Sequence, residues 1–178
     1  MRLFLALVPS PTFREKLAVW QEEFSKKAPG CRPVAPDRLH MTLLFNGKAG
    51  EPDRKRLEEA GLKLMRRVGK GEIPLPSSRI FFDSRSLPGL GVLSFGPDLS
   101  DSLLWDDLRE VLEEFGDGRP FWPHMTLFRR FSPDRTEIRP VSDIPDAGFS
   151  ELVLFESIPE EARYLRLRQW PPESSPPT

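Results

Sequence analysis

A chain of 178 residues, 38% hydrophobic and 30% charged with 13 Phe and 4 Trp, has the size of one domain and the apolar content for a core, which excludes a long multidomain architecture and global disorder. Its 26 basic and 27 acidic side chains leave a net charge of −1, so it lacks the basic footprint of a protein that coats nucleic acid nonspecifically, although a local basic patch is compatible with that balance. Twenty prolines, against a usual share of about 5%, disfavour long helical bundles, and the single Cys31 excludes an internal disulfide.

The first element is the apolar run Leu3 to Pro9, too short for a signal peptide or a membrane span; with the lone cysteine it points to a cytoplasmic protein with no membrane partner. Ser10-Pro11-Thr12 then supplies a helix start, and Phe13, Leu17, Trp20 and Phe24 form one apolar stripe for the core. A strand is expected over 38–45. A second helix should begin near Asp53 and bury Leu57, Gly61, Leu64 and Val68. A third, beginning near Ser100, should bury Leu104, Leu108, Val111, Leu112 and Phe115, with Gly69 and Gly116 as stops. Further strands are expected over 79–84, 90–96, 121–130, 150–157 and 162–169. Ser78 to Gly96 reads as a hairpin with its loop at 84–89, so the sheets should be antiparallel and the class α+β. The Pro- and Ser-rich tail 171–178 has little to bury and should be mobile, leaving 1–170 as one bilobal domain.

One tetrapeptide, His-Met-Thr-Leu, occurs twice, at His40 to Leu43 and at His124 to Leu127, and the chain has no other histidine. The copies stand 84 positions apart, nearly half the chain, which suggests one copy per lobe. On a strand, residues two apart share a face, so His40 projects with Thr42 and His124 with Thr126, the Met and Leu residues lying behind. A pseudo-twofold between the lobes would bring both imidazoles and both hydroxyls to one cleft.

Such a set suits displacement at a phosphate ester. Imidazole titrates near pH ~6.5, so one ring can take a proton from the entering oxygen while the other gives one to the leaving oxygen. The hydroxyls can hydrogen-bond nonbridging phosphate oxygens without titrating. A strained cyclic phosphodiester would let this run without a metal, and no zinc-type spacing of His and Cys occurs. Phosphate-binding loops and dinucleotide fingerprints are absent, and Gly91 to Gly96 misses nucleophile-elbow spacing by one residue.

With its two His-x-Thr motifs the sequence resembles the 2H phosphoesterase superfamily. The opening Arg2-Leu-Phe-Leu-Ala-Leu, the continuation Leu43-Leu-Phe45-Asn-Gly47, Pro123-His124-Met-Thr126-Leu-Phe-Arg129, Leu154-Phe-Glu-Ser157 and the pair Tyr164 and Trp170-Pro171 extend the resemblance to RNA 2′,3′-cyclic phosphodiesterases, formerly called 2′-5′ RNA ligases. These landmarks span nearly the whole chain. The resemblance implies a bilobal α+β fold, two antiparallel sheets flanked by helices around a pseudo-twofold central cleft. It implies hydrolysis of RNA ending in a 2′,3′-cyclic phosphate to a 2′-phosphomonoester, without metal or other cofactor, and in some members reversible 2′-5′ ligation. The partner is then RNA, and a monomer is the expected state. By motif position His40 would be the proton donor, His124 the proton acceptor, Thr42, Thr126 and Arg129 the phosphate-binding residues, and Phe45 a platform for the terminal base. On an unbroken strand an offset of five turns Phe45 and Arg129 away from their histidines, so they reach the cleft only if the strands twist, bulge or end; Arg130 has the matching parity. A cyclic phosphodiesterase for small nucleotides and a noncatalytic RNA-end binder are the alternatives.

Overall fold

The structure, a computed structural model, describes residues 1–27, 30–68, 73–75, 78–81, 90–95, 103–116, 118, 124–130, 147–161 and 163–170. In chain order it runs β1 (Leu3–Pro9), α1 (Pro11–Lys27), β2 (Arg32–Pro33), a 3₁₀ turn (Pro36–Arg38), β3 (Met41–Asn46), α2 (Glu51–Val68), β4 (Ile73–Leu75), β5 (Ser78–Phe81), β6 (Leu90–Phe95), α3 (Leu103–Phe115), β7 (His124–Arg129), β8 (Ala147–Ile158) and β9 (Arg163–Trp170).

The helix ends follow from local chemistry. Ser10 caps α1: its Oγ accepts from the Phe13 N–H at 3.3 Å, and Pro11, which has no N–H to satisfy, opens the helix. Asp53 sits in the first turn of α2 rather than at its start, and its carboxylate reaches back to accept the Gly50 N–H at 2.7 Å. This places the helix start two residues earlier than expected. Gly116 ends α3, where a Cβ would lie 2.3 Å from the Leu112 carbonyl oxygen, so only glycine fits.

Every strand pairing described is antiparallel, and the sheet order is β4-β8-β1-β3-β7-β6-β5, with β9 on β8 and β2 on β7. In place of the two expected sheets, the described strands form one nine-stranded antiparallel sheet, in which β4, β9, β8, β1 and β3 make one group and β2, β7, β6 and β5 the other. They join where β3 meets β7 at the pair Met41 and Met125, both fully buried. These groups are not successive halves of the chain. Strand β8 returns to pair with β1 and carries β9 on its outer edge, and β2 crosses to the far group, so each lobe is completed by sequence from the other end. The expected hairpin is present as the β5–β6 pair; its loop and the 171–178 tail lie outside the described residues.

The main core lies between the helices and one face of the sheet. Phe13 and Leu17 are fully buried, with Trp20 and Phe24 packed around Phe128. Leu57 and Leu64 of α2 and Leu108, Val111 and Leu112 of α3 are buried, as the periodicity predicts. Gly61 lets α2 approach the Trp170 ring, which a Cβ there would overlap at 2.7 Å. On the opposite face of β1, β8 and β9 a smaller apolar layer of Phe4, Ala6, Val8, Val153, Phe155 and Tyr164 lines the functional side.

Candidate active site

His40 lies just ahead of its strand. The expected strand over 38–45 begins only at Met41, because Pro36 starts a 3₁₀ turn that runs through Arg38. His124 instead opens β7 directly. From there on the two motifs match residue for residue. His40, Met41, Thr42, Leu43, Leu44 and Phe45 run partly buried, buried, partly buried, buried, buried and exposed, and His124 to Arg129 repeat that pattern unchanged.

Two consecutive buried residues break strand alternation, and the pairing shows how. Opposite β1, Leu5 faces Leu44 while Ala6 faces Thr42, so Leu43 is an extra residue on β3. Opposite β6, Gly91 faces Phe128 while Val92 faces Thr126, so Leu127 is the same extra residue on β7. Each bulge shifts parity by one and returns the fifth residue after each histidine, Phe45 or Arg129, to the histidine face. The parity argument for Arg130 is therefore overturned: the strand ends at Arg129, and Arg130 takes a left-handed φ of 56° beyond it.

The second bulge is tied down by a buried polar side chain. Gln21, 3% exposed on α1, donates from Nε2 to the Leu127 carbonyl at 2.7 Å and the Val34 carbonyl at 3.0 Å, while the Val34 N–H also bonds Leu127 O at 2.8 Å. Nothing in the motif reading singled out Gln21, although its place four residues after Leu17 sets an amide on the core stripe.

Across the join, the Met41–Met125 pair fixes the relation of the two motifs. Extending that antiparallel register by one residue sets position 40 opposite 126 and 42 opposite 124, so each histidine neighbours the other motif's threonine. His40 rests on an aromatic bed, its ring 5.0 Å from Phe4, 5.2 Å edge-on from Tyr164 and 6.2 Å from Phe155. Its Nδ1 lies 2.7 Å from the Arg38 carbonyl oxygen, which can only accept, so Nδ1 carries a proton and Nε2 is the ring's free nitrogen. Burial pushes the His40 imidazole below its ordinary value. The bond to the Arg38 carbonyl opposes that shift, and the positive charges of Arg38, His124 and Arg129 reinforce it. The field of the second motif thus reaches the first.

Phe45 is 45% exposed beneath the guanidinium of Arg2 at 5.7 Å, and Tyr164 carries that of Arg38 at 4.9 Å. Tyr164 walls the His40 pocket, whereas Trp170 packs on α2 at the back of the sheet. Among the described basic side chains of α2, Lys55, Arg56 and Arg66 are exposed, Arg54 pairs with Glu58 at 3.1 Å and Lys63 with Glu114. Among the described residues no three or more His, Cys, Asp or Glu cluster as a metal site would need, and no helix is long and apolar enough to cross a membrane.

A family profile described as "LigT like Phosphoesterase" matches residues 7–81. The RNA 2′,3′-cyclic phosphodiesterase of Thermus thermophilus is 31% identical over 144 residues, covering 75% of this chain and 70% of the relative. The protein of the same name from Methanocaldococcus jannaschii is 26% identical over 171 residues, 94% of this chain and 90% of that one. The crystal structure of Escherichia coli LigT in apo form superposes with a TM-score of 0.67 at 29% identity, covering 96% of both chains, and that protein has also been solved with 3′-AMP (TM-score 0.65, 28% identity, 96% of both chains). The chain belongs to the LigT-like phosphoesterases of the 2H superfamily, and its α+β fold is theirs.

Proposed function

We propose that this protein hydrolyses the 2′,3′-cyclic phosphate at the end of an RNA chain to a 2′-phosphomonoester. The observation that carries the reading is the matched pair of His-x-Thr strands, bulged at the same position and joined at Met41 and Met125, which sets two imidazoles and two hydroxyls on one face. The names of the relatives and the 3′-AMP complex of LigT support RNA or a nucleotide as substrate.

In this mechanism His124 accepts a proton from water as its oxygen attacks phosphorus. The bond from phosphorus to the 3′-oxygen breaks, and His40 Nε2 protonates that oxygen, leaving a 3′-hydroxyl and a 2′-phosphate. Thr42 and Thr126 donate to nonbridging oxygens, and the Arg129 guanidinium balances the charge that grows on them. Phe45 stacks on the terminal base. Burial first, and then the charges of Arg38, His124 and Arg129, favour the neutral form of His40; an anionic phosphate beside it opposes those charges and so favours the protonated donor. The two rings supply both proton transfers, so no metal is required. Attack by an RNA 5′-hydroxyl in place of water would give 2′-5′ ligation through the same groups.

Product analysis tests this reading. Purified protein, EDTA and a short RNA ending in 2′,3′-cyclic phosphate should yield 2′-phosphate alone. Unchanged substrate would contradict it and shift the reading to small cyclic nucleotides or to a binder.

A further inference from the structure

Arg38 carries more structure than its place in a three-residue turn requires. Its carbonyl holds the His40 Nδ1 proton, and its guanidinium lies 4.9 Å over the Tyr164 ring, the same ring that meets His40 edge-on at 5.2 Å. The side chain is half-buried, and its Nε, shielded from solvent, has no hydrogen-bond partner. Among the described residues no carboxylate forms an ion pair with it. A guanidinium nitrogen shielded from solvent with no acceptor is costly, and a fold ordinarily pairs it. Its charge is felt at the His40 imidazole, whose ring shares Tyr164 with it. Guanidinium on an aromatic face gains attraction from the ring and keeps planar N–H donors for an anion, a fork that matches a phosphate.

We propose that Arg38 is a second phosphate-binding guanidinium of the site, gripping the anion from the His40 side as Arg129 does from the His124 side. The inference deepens the phosphodiesterase reading and rests on it for the location of the phosphate. It makes the cleft electrostatically two-sided: each lobe contributes one imidazole, one hydroxyl and one arginine. Arg38 arrives from the turn before the motif, and Arg129 from the strand beyond it. The groups facing His40 are then Arg38 from the turn, Tyr164 from β9, Phe4 from β1, Phe155 from β8 and His124 and Arg129 from β7. Of these the arginines are fixed cations, and His124 and Tyr164 are the other titratable groups. Among the described groups around His40, the bound phosphate would be the only anion.

Binding of inorganic phosphate and of adenosine 2′-phosphate by calorimetry tests this without requiring turnover. Arg38→Met keeps an apolar stem for Tyr164 and leaves the backbone carbonyl on His40, so loss of charge is its main effect. Affinity for both probes should fall about ten- to a hundredfold, the usual worth of a charge-assisted fork. Arg38→Lys should lose less, and the NMR titration midpoint of His40 should rise in the Met variant but not in the Lys variant. Wild-type affinity in Arg38→Met would overturn the proposal. So would an equal loss in the Met and Lys variants with an unmoved His40 titration, because that pattern is structural. If Arg38→Met does not fold, Arg38→Gln takes its place beside Arg38→Lys with the same outcomes: a larger loss of phosphate affinity than in the Lys variant and a raised His40 midpoint support the proposal, and wild-type affinity refutes it. A protein that binds phosphate through Arg38 yet leaves cyclic-phosphate RNA intact would refute the phosphodiesterase reading and not this one.

Discussion

The two histidine strands are nearly superimposable in pattern and unlike in surroundings. Both carry the same tetrapeptide, the same bulge after threonine and the same buried doublet. Yet His40 is fixed before its strand by a proline-initiated turn, bedded on Phe4, Phe155 and Tyr164 and bonded through Nδ1 to a carbonyl. His124 is the first residue of its strand, and the bulge behind it is held from the helix side by Gln21. The comparison separates two jobs that one motif performs. In the proposed mechanism the repeated part would grip a tetrahedral anion symmetrically, while the unrepeated surroundings hold the His40 imidazole toward its neutral form.

Breaking either half should be most damaging at the histidines. His40→Ala and His124→Ala should each lower the turnover of cyclic-phosphate RNA by about 10²–10⁴-fold, the range for a positioned acid or base, in single-turnover assays. Near-normal turnover in either variant would remove that residue from the proton transfers.

A smaller effect should come from the support of the second bulge. Gln21→Leu removes two donors to buried carbonyls, one of which, on Leu127, keeps the Val34 N–H, and should lower stability by about 1–3 kcal/mol in urea melts. If the bulge aims Arg129, the same variant should also raise KM more than a remote variant of equal instability, such as Gly61→Ala, whose added methyl meets Trp170.

The smallest effect concerns pH. His40 prefers its neutral form when folded, so below its ordinary value of 6.5 the unfolded chain binds more protons than the folded one. Stability should therefore rise with pH through the window just below 6.5 and level off above it. His40→Asn should flatten that part of a Tm-against-pH curve; an unchanged slope would show that the imidazole is not held neutral.

Much of this was legible in the sequence for physical reasons. A short apolar run, the Ser-Pro start of α1 and three amphipathic stripes made β1 and the helices legible, because each is specified locally. The repeated His-x-Thr pairs marked the site because i and i+2 share a face. Strands β2 and β4 were not legible: two exposed residues, Arg32 and Pro33, or three, Ile73 to Leu75, carry no periodicity and exist through their partners. The interleaving of the lobes is equally a long-range outcome, since nothing local tells β8 to return to β1. The bulges did leave a trace. Leu43-Leu44 and Leu127-Phe128 are apolar doublets that an alternating strand would not carry, and they resolve how Phe45 and Arg129 share the histidine face. Arg38 and Gln21 escaped because their roles rest on a carbonyl, a ring and a bulge that only folding brings to them.

The measurement that most directly tests the division of labour compares His40→Ala and His124→Ala on two substrates, the cyclic phosphate and a phosphodiester with a p-nitrophenolate leaving group, which departs without a proton. His40→Ala should recover most of its lost rate on the activated ester while His124→Ala stays impaired. Recovery by His124→Ala instead, or equal impairment of both variants on both substrates, would contradict the assignment of His40 as donor and His124 as acceptor.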